Sequence, residues 1–318
     1  MKDEIKRRKQ KKAIIRISVF YVIGISLSNI FRFDLLKLHD KKEILQMRTK
    51  FLFLIIFATT NFFIYAQMDD KFYYPTKKLE PIEWTNYEEL KFNVENDTIA
   101  VLILKPELKP KATIFYFHGA GGNLTYYVPL TQVLVNNNLQ VIMIDFRGYG
   151  KSTGKPTHKN ISHDGQKIFD MLLENEDIIN TPKIIYGISI GTQIATLLAK
   201  NNQEKISGLI LEGAMASFTD IAMFYTPEYK DYLEKNYISP YSAKEDIKNI
   251  NKILKYVIHS KEDKDVPFSQ GEMVYNNATE PKEFLEFKGE HLHALKYEKE
   301  KILQKINEMI NKKTLENK

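Results

Sequence analysis

A serine stands between two glycines in the stretch KIIYGISIGTQIATLLAK, residues 183–200. Residues 184–186 predict a buried strand, and apolar residues from Ile194 onward recur with helical spacing. Ser189 therefore falls where a strand turns directly into a helix, in the pattern G-x-S-x-G. This pattern is typical of a nucleophile held on a sharp turn. A plain Gly/Ser turn at the start of a helix can have the same pattern and is the alternative.

The glycines of this pattern explain how such a turn can form. A residue at a sharp strand-to-helix bend is often forced to a positive φ, which is costly for a residue with a side chain. Gly187 and Gly191 lack a Cβ atom, so the strand and the helix can approach each other closely around the bend. We therefore predict that Ser189 is held out at the top of a sheet as a nucleophile.

A serine nucleophile needs a base to take its proton, which is usually a histidine oriented by a carboxylate. On a strand–turn–helix scaffold these partners follow the serine in the order acid, then histidine. Asp263 lies in the loop after one predicted strand, and His291 lies just after the last predicted strand. Ligands bind at the carboxyl ends of strands in open α/β sheets. We predict Asp263 as the acid and His291 as the base.

Both assignments have rivals close by in the chain. Glu262 and Asp265 flank Asp263, and a solvated loop charge is the alternative interpretation of any one of the three. His293 stands two residues after His291 and could serve as the base instead. Glu262 and Asp265 are therefore the alternative acids, and His293 is the alternative base.

The stretch FHGAGGN, residues 117–123, follows the first core strand and could stabilise a developing oxyanion. Its glycines leave backbone N–H groups free, and we expect the N–H of Ala120 to pair with that of Ile190. The alternative is a phosphate-binding loop, but the P-loop pattern is missing. His118 and His259 also lie at strand ends, where they suit the shaping of a loop better than the role of base.

Strand patterns alternate with helix patterns along most of the chain, which predicts an α/β fold with a parallel, doubly wound sheet. Residues 90–106 predict a hairpin at its edge. We place the folded domain at residues 89–315, after a polar linker or extended lead-in at residues 68–88. An insertion at about residues 214–251 is longer than a usual connection and predicts a small cap, with ordinary surface helices as the alternative. Its aromatic residues are Phe218, Phe224, Tyr225, Tyr229, Tyr232, Tyr237 and Tyr241.

The N-terminal part contains two different signals. Residues 51–66 form an apolar run of 16 residues after a short basic start at Met47, and the small residue Ala66 follows the run, as in a secretory signal peptide. Residues 1–46 do not fit that anatomy and hold a second apolar stretch behind a basic cluster. We favour translation from Met47, export and cleavage near Ala66. The alternative is a membrane anchor with its basic flank inside.

Composition excludes several classes of function. The 318 residues carry a net charge of +6, but residues 1–50 alone hold 14 Lys/Arg against 5 Asp/Glu, so the remainder is slightly acidic. No basic face is left that would indicate nucleic-acid binding. The absence of cysteine excludes disulfides, thiolate metal sites and a cysteine nucleophile. We expect a small-molecule or acyl substrate and no cofactor or metal.

Five motifs in order resemble the α/β-hydrolase superfamily: FHGAGGN, DFRGYGKSTG, GISIG, HSKEDKDVP and GEH. The resemblance covers roughly residues 90–310 and is nearest to the small-capped serine hydrolases with HG-x-x-GN and D-x-RG-x-G-x-S motifs, some of which are membrane-tethered depalmitoylating thioesterases. Ser260 replaces the usual glycine of the acid loop, which leaves Asp263 in register. Arg147 and Ser152 match the second motif, where loop architecture is the better interpretation.

The resemblance implies a serine hydrolase that cleaves a carboxylic ester or thioester through an acyl-enzyme. The resemblance assigns the roles of nucleophile, acid and base to Ser189, Asp263 and His291. It assigns the roles of oxyanion donors to the N–H groups of Ala120 and Ile190. A serine peptidase of related fold is one alternative, although no large partner domain of the kind that accompanies such peptidases is present. A non-catalytic, membrane-tethered binding module is the other, and the intact Ser/Asp/His set argues against it.

Overall fold

The computed structural model describes Asp69 and residues 71–316. The predicted extension at residues 1–46 and the predicted signal peptide or anchor at residues 47–67 lie outside the described residues. Within the described part of the chain, no helix has the length and apolar character needed to cross a membrane.

Strands form an eight-stranded sheet and a separate two-stranded one. In chain order they are β1 (Tyr74–Pro75), β2 (Tyr87–Val94), β3 (Asp97–Leu104), β4 (Ala112–Phe117), β5 (Gly121–Gly122), β6 (Leu139–Ile144), β7 (Lys183–Ile188), β8 (Gly208–Glu212), β9 (Leu254–Ser260) and β10 (Lys282–Phe287).

The large sheet has the order β10-β9-β8-β7-β4-β6-β3-β2. Pairing is parallel from β10 to β6, whereas β3 pairs antiparallel with both β6 and β2. The predicted edge hairpin is therefore the β2–β3 pair, and the predicted parallel, doubly wound α/β sheet is confirmed.

Helices cover both faces of this sheet and build the insertion. They are α1 (Leu124–Val135), α2 (His158–Leu172), α3 (Glu176–Ile179), α4 (Gly191–Asn201), α5 (Phe218–Tyr225), α6 (Lys230–Asn236), α7 (Ala243–Asp246), α8 (Phe268–Asn277), α9 (Ala294–Tyr297) and α10 (Lys299–Glu316), with 3-10 turns at Pro227–Tyr229 and Ile247–Asn249.

Burial differs between the centre and the edge of the sheet as the sequence patterns require. Every residue of β4, β6 and β7 is buried, because helices pack on both faces of these central strands. The edge strand β2 alternates between exposed and half-buried positions. Two hydrophobic clusters lie on the two faces of the sheet, and the central strands contribute alternate side chains to each.

The segment before β2 is extended and packs on the domain. Its strand β1 pairs in parallel with β5, so that Tyr74 stands opposite Gly121. Farther along, the Asn123 side chain donates to the carbonyls of Thr76 and Lys78, and Glu80 N–H donates to Thr125. This attachment brings the start of the described chain to the glycine-rich loop after β4.

Candidate active site

Ser189 occupies the strained turn that its sequence context predicts. It has a φ of 51°, in the left-handed region, between the end of β7 and the start of α4. A Cβ atom on Gly191 would lie 2.2 Å from the carbonyl oxygen of Phe117, and one on Gly187 would lie 2.6 Å from Ala195 Cβ. Only glycine fits at these two contacts, so the close packing of strand and helix holds the serine in its unusual conformation.

Asp263 and His291 come together at the ends of β9 and β10. His291 Nδ1 donates to Asp263 Oδ2 over 2.6 Å. The other carboxylate oxygen, Oδ1, accepts from the N–H groups of Val266 and Asp265 at 2.8 and 2.9 Å. The carboxylate is therefore held by the backbone of its own loop, and it in turn fixes the orientation and tautomer of the imidazole.

The carboxyl group of Asp263 is built to stay ionised. Burial of its side chain opposes the charge, but the hydrogen bond from His291 and the bond from Val266 N–H outweigh it and lower the pKa of Asp263 below its ordinary value. His259 supports the same loop, because its Nε2 donates to the Val266 carbonyl at 2.9 Å and lies 3.5 Å from Asp263 Oδ2. A charged acid beside His291 stabilises the imidazolium that forms when the ring accepts a proton.

The rival residues have different surroundings. Glu262 and Asp265 are exposed, and neither is hydrogen-bonded to His291. His293 lies 3.1 Å from the exposed carboxylate of Glu290 and immediately precedes α9. The structure thus brings Asp263 and His291 together and leaves the rivals outside this pair.

Ser189 and His291 face one cavity. Both side chains line it, together with Ala120 and Ile190. Among the described residues, no hydrogen bond joins Ser189 Oγ to the His291 ring. Catalytic hydrogen bonds are often long in ligand-free structures and tighten when substrate binds.

The two residues expected to supply the oxyanion donors, Ala120 and Ile190, line the same cavity as Ser189. Neither the Ala120 N–H nor the Ile190 N–H donates to another group in the described part of the chain. His118 is buried below them, its Nδ1 donates to the Gly119 carbonyl at 2.8 Å, and burial lowers the pKa of its ring to about 4. His118 is thus a neutral ring that shapes the loop of Ala120, whereas the second N–H, that of Ile190, belongs to the residue after the serine.

The cavity has a volume of about 810 Å³ and is open to solvent on one side. Its wall is mainly apolar and aromatic, and among the described residues Lys71 and Asp265 are the Lys, Arg, Asp or Glu side chains on it. The cap contributes α5, the following 3-10 turn and α6 to this wall. The aromatic lining residues are Phe72, Tyr74, Tyr127, Tyr225, Tyr229 and Tyr232.

A buried glutamate next to the site was missed by the sequence reasoning. Glu212 ends β8, beside the strand that carries the serine, and its backbone carbonyl accepts from Ser189 N–H at 2.9 Å. Its carboxyl group accepts from Tyr186 OH at 2.6 Å and from Ala294 N–H at 2.9 Å, and burial raises its pKa. Glu212 thus connects the serine turn with the segment after His293. Its place at a strand end, in LILEG, was the signal available in the sequence.

Arg147 and Ser152 serve the architecture of their loop, as the sequence interpretation favoured. The guanidinium of Arg147 is bonded to three carboxylates, those of Asp164, Asp97 and Glu95. The Ser152 hydroxyl donates to the Asp145 carbonyl and accepts from a strand β3 N–H. Neither side chain lines the cavity.

One group of side chains in the described part of the chain is compact enough to ligate a metal ion. Candidate ligand atoms of Asp263, Asp265 and His291 all lie within 4.8 Å of one another. Two of the three are already hydrogen-bonded to each other, so this group consists of the predicted acid–base pair and an exposed neighbour. It does not form a separate centre.

Comparisons with known proteins identify relatives of this chain. Residues 108–236 match the family described as "Serine aminopeptidase, S33". The uncharacterized protein YfhR of Escherichia coli (strain K12) is 29% identical over 230 residues, covering 70% of this chain and 80% of that protein. The lysophosphatidylserine lipase ABHD12 of Mus musculus is 29% identical over 194 residues, covering 56% of this chain and 48% of that protein.

The fold also matches solved structures. The Pyrococcus furiosus esterase Pf2001 superposes with a TM-score of 0.60 at 16% identity and covers 75% of this chain and 98% of that one. A mostly parallel sheet with a strained serine turn at its centre defines an α/β hydrolase. The chain belongs to the α/β-hydrolase superfamily.

Proposed function

We propose that the protein is a serine hydrolase that cleaves carboxylic esters or thioesters through an acyl-enzyme intermediate. One observation carries the proposal: Ser189, strained at the strand-to-helix turn, shares a cavity with a His291 ring that is hydrogen-bonded to Asp263. Such a set activates a hydroxyl that is otherwise a weak nucleophile.

The proposed reaction proceeds in two halves. His291 Nε2 accepts the Ser189 Oγ proton as the oxygen attacks the acyl carbon, and the resulting oxyanion is bound by the N–H groups of Ala120 and Ile190. When the tetrahedral species collapses, the leaving alcohol or thiol takes the proton from His291. Water, deprotonated by the same ring, then attacks the acyl-enzyme and releases the acid while Ser189 regains its proton.

The acyl group of the proposed substrate is apolar. A cavity of about 810 Å³ with an aromatic and aliphatic wall favours a hydrocarbon chain over a charged one, because burial of apolar surface is favourable by roughly 0.8 kcal/mol per methylene group. The matched lipase relative acts, by its name, on a lysophospholipid. A hydrolase of medium or long acyl esters is the substrate class that this wall supports best.

Labelling and turnover test the proposal together. A fluorophosphonate probe should label the wild-type protein, and p-nitrophenyl esters from acetate to dodecanoate should be hydrolysed. Ser189→Ala should abolish both signals while its thermal unfolding temperature stays within a few degrees of the wild type. Labelling of Ser189→Ala, or turnover above a few per cent of the wild-type rate, would contradict the assigned nucleophile.

A peptidase is the second candidate, because the matched family is described as a serine aminopeptidase. The one carboxylate on the cavity wall, Asp265, could bind the amino group of a peptide. Aminoacyl p-nitroanilides assayed beside the esters distinguish the two candidates. Turnover of the anilides that exceeds ester turnover, and falls in Asp265→Asn, would favour the peptidase.

Export remains a proposal that rests on the sequence of residues 47–66. If translation starts at Met47 and cleavage occurs near Ala66, the mature chain should begin close to Gln67. N-terminal sequencing of the protein from its native host tests this. A peptide from residues 2–46 would exclude the internal start, and a soluble exported chain that begins near Gln67 would exclude the anchor.

A further inference from the structure

The glycine-rich loop after β4 carries one of the two proposed oxyanion donors. A loop with glycines at positions 119, 121 and 122 has many backbone conformations available, so something must fix it if Ala120 N–H is to point at one place. Electrostatic stabilisation of an oxyanion depends on donors that are already oriented before the reaction. The contacts of this loop show how the orientation is achieved.

The peptide plane on the N-terminal side of Ala120 is fixed from inside the domain. That plane contains the Gly119 carbonyl and the Ala120 N–H, which point in opposite directions because the peptide is planar and trans. His118 Nδ1 donates to the Gly119 carbonyl at 2.8 Å from a fully buried position. The bond therefore directs the Ala120 N–H away from His118.

The peptide plane on the C-terminal side of Ala120 is fixed by the beginning of the described chain. The Ala120 carbonyl accepts from Tyr74 N–H at 2.9 Å and from Tyr149 OH at 2.5 Å. Tyr149 OH in turn accepts from the same Tyr74 N–H at 3.1 Å. Thr76 N–H donates to the Gly122 carbonyl at 3.0 Å and completes the β1–β5 pairing.

Residues 72–76, which we name the leading strap, are themselves well anchored. Tyr73 is buried, and its hydroxyl is hydrogen-bonded to His158 Nδ1 at 2.7 Å. Gly150 N–H donates to the Thr76 carbonyl at the other end of the strap. Alternation along the strap places Phe72 and Tyr74 on the cavity wall and Tyr73 in the core.

We propose that the leading strap and Tyr149 are positioning elements of the oxyanion hole, holding the loop at residues 119–122 so that Ala120 N–H meets the developing charge. This inference rests on the proposed serine-hydrolase function. The buried Tyr149 hydroxyl is the link, because it contacts both the strap and the loop. The Tyr74 N–H, the Thr76 N–H and the Tyr149 hydroxyl do not touch the reacting atoms, so their effect is on the rate of the chemical step. The side chains of Phe72 and Tyr74 line the cavity and act separately, on the binding of the ester.

Tyr149→Phe tests the proposal, because it removes one hydroxyl and keeps the buried ring. We expect kcat for p-nitrophenyl esters to fall about ten- to hundredfold, as misplacement of a catalytic group does, with KM within about threefold of the wild type. Affinity for a trifluoromethyl ketone, whose adduct places an oxyanion in the hole, should fall in parallel with kcat. Tyr241→Phe is the matched control, since its hydroxyl also donates to a backbone carbonyl, that of His158, but away from the loop.

A backbone variant supplies a second, independent test. Tyr74→Pro removes the N–H that binds the Ala120 carbonyl, whereas Tyr74→Ala removes the side chain and keeps that N–H. Both variants lose the side chain that lines the cavity, so KM should change alike in the two, whereas kcat should be lower in Tyr74→Pro than in Tyr74→Ala. Equal effects of Tyr74→Pro and Tyr74→Ala on kcat, or equal effects of Tyr149→Phe and Tyr241→Phe, would overturn the proposal.

Hydrogen exchange separates failure of this inference from failure of the proposed function. The amides of residues 119–122 should exchange faster in Tyr149→Phe than in the wild type, and at the wild-type rate in Tyr241→Phe. Unchanged exchange in Tyr149→Phe would overturn the positioning role even if activity falls. A wild-type protein without esterase activity or probe labelling would instead refute the function, and the exchange rates would still report whether the strap holds the loop.

Discussion

The floor of the cavity and its cap are built by different means. The floor consists of strand ends and the serine turn, where strand and helix pack so closely that a Cβ atom on Gly191 would lie 2.2 Å from the carbonyl oxygen of Phe117. The cap wall consists of short helices whose tyrosines are largely exposed, with Tyr225 and Tyr229 both at 58% exposure. Close packing therefore fixes the conformation of the floor, whereas comparatively few buried contacts hold the cap.

This difference separates two tasks. Chemistry needs groups held within a fraction of an ångström, and the floor supplies such groups on rigid elements. Selection among acyl groups needs only a surface of suitable shape, and the cap supplies it. Substitutions in the floor should thus change the rate, and substitutions in the cap should change the choice of substrate.

The largest effect is expected at the base. His291→Ala should lower kcat by about 10³-fold or more, as loss of the histidine of a catalytic triad does, because Ser189 then has no proton acceptor. His293→Ala should leave kcat within about threefold, since that ring lies beside the exposed Glu290. The measurement is kcat for p-nitrophenyl butyrate, with thermal unfolding as the control for folding. A larger loss in His293→Ala would show that the base was assigned to the wrong histidine.

The parts of the floor that the sequence predicted are those with local signatures. Gly187, Ser189 and Gly191 occur within five residues, and Asp263 and His291 each follow a strand pattern directly. Once the sheet is parallel, its topology brings such strand ends to one edge. The central strands were predictable for a similar reason, because complete burial on both faces leaves continuous apolar runs.

Contacts between distant segments carry no such signature. The pairing of β1 with β5 joins two strands of two residues each, which are too short for any periodicity, across almost 50 positions of the chain. Glu212 and Tyr149 act through bonds to Ala294 and Ala120 that only the folded chain creates. The glycines of the proposed oxyanion loop could therefore be noticed in the sequence, but the groups that hold the loop could not.

At low pH, the contacts that His158 makes with the cap insertion should lose stability before the contacts of the cavity floor do. His158 binds Tyr73 OH and Tyr237 OH of the cap insertion, and burial lowers the pKa of its ring to about 3. Its ring stays neutral in the folded state, so the stability it supports is complete above pH 6.5 and declines as the pH falls toward 3. The loss is about 1.4 kcal/mol per pH unit, or roughly 2 kcal/mol by pH 5. Asp69 Oδ1, at 3.1 Å from Nε2, is the charged group that faces this ring.

The floor has a compensating pair. Burial lowers the pKa of His118 to about 4 but raises that of Asp145, 3.7 Å away, to about 7. The Asp145 contribution to stability is greatest in acid and is lost as the pH rises toward 7, so the pH dependences of stability that His118 and Asp145 cause oppose each other.

Urea unfolding of the wild type and His158→Gln at pH 7.5 and 5.0 measures the contribution of His158 to the free energy of unfolding. The difference in unfolding free energy between them should shrink by roughly 2 kcal/mol in acid, and a difference independent of pH would contradict the account.

The smallest effect is expected in the cap, and it should appear only as a change in the preference for long over short acyl chains. Tyr229 lines the cavity from the 3-10 turn, so Tyr229→Ala removes apolar wall that the cap contributes. We expect KM for p-nitrophenyl decanoate to rise about three- to tenfold, because about one or two methylene groups lose their contact at roughly 0.8 kcal/mol each, while the kinetics of the acetate stay unchanged. Ile238→Ala is the control, since Ile238 is the most exposed apolar residue of the cap and lies outside the cavity lining. If acetate and decanoate changed alike in Tyr229→Ala, the cap would affect the chemical step, and the division of tasks between floor and cap would be wrong.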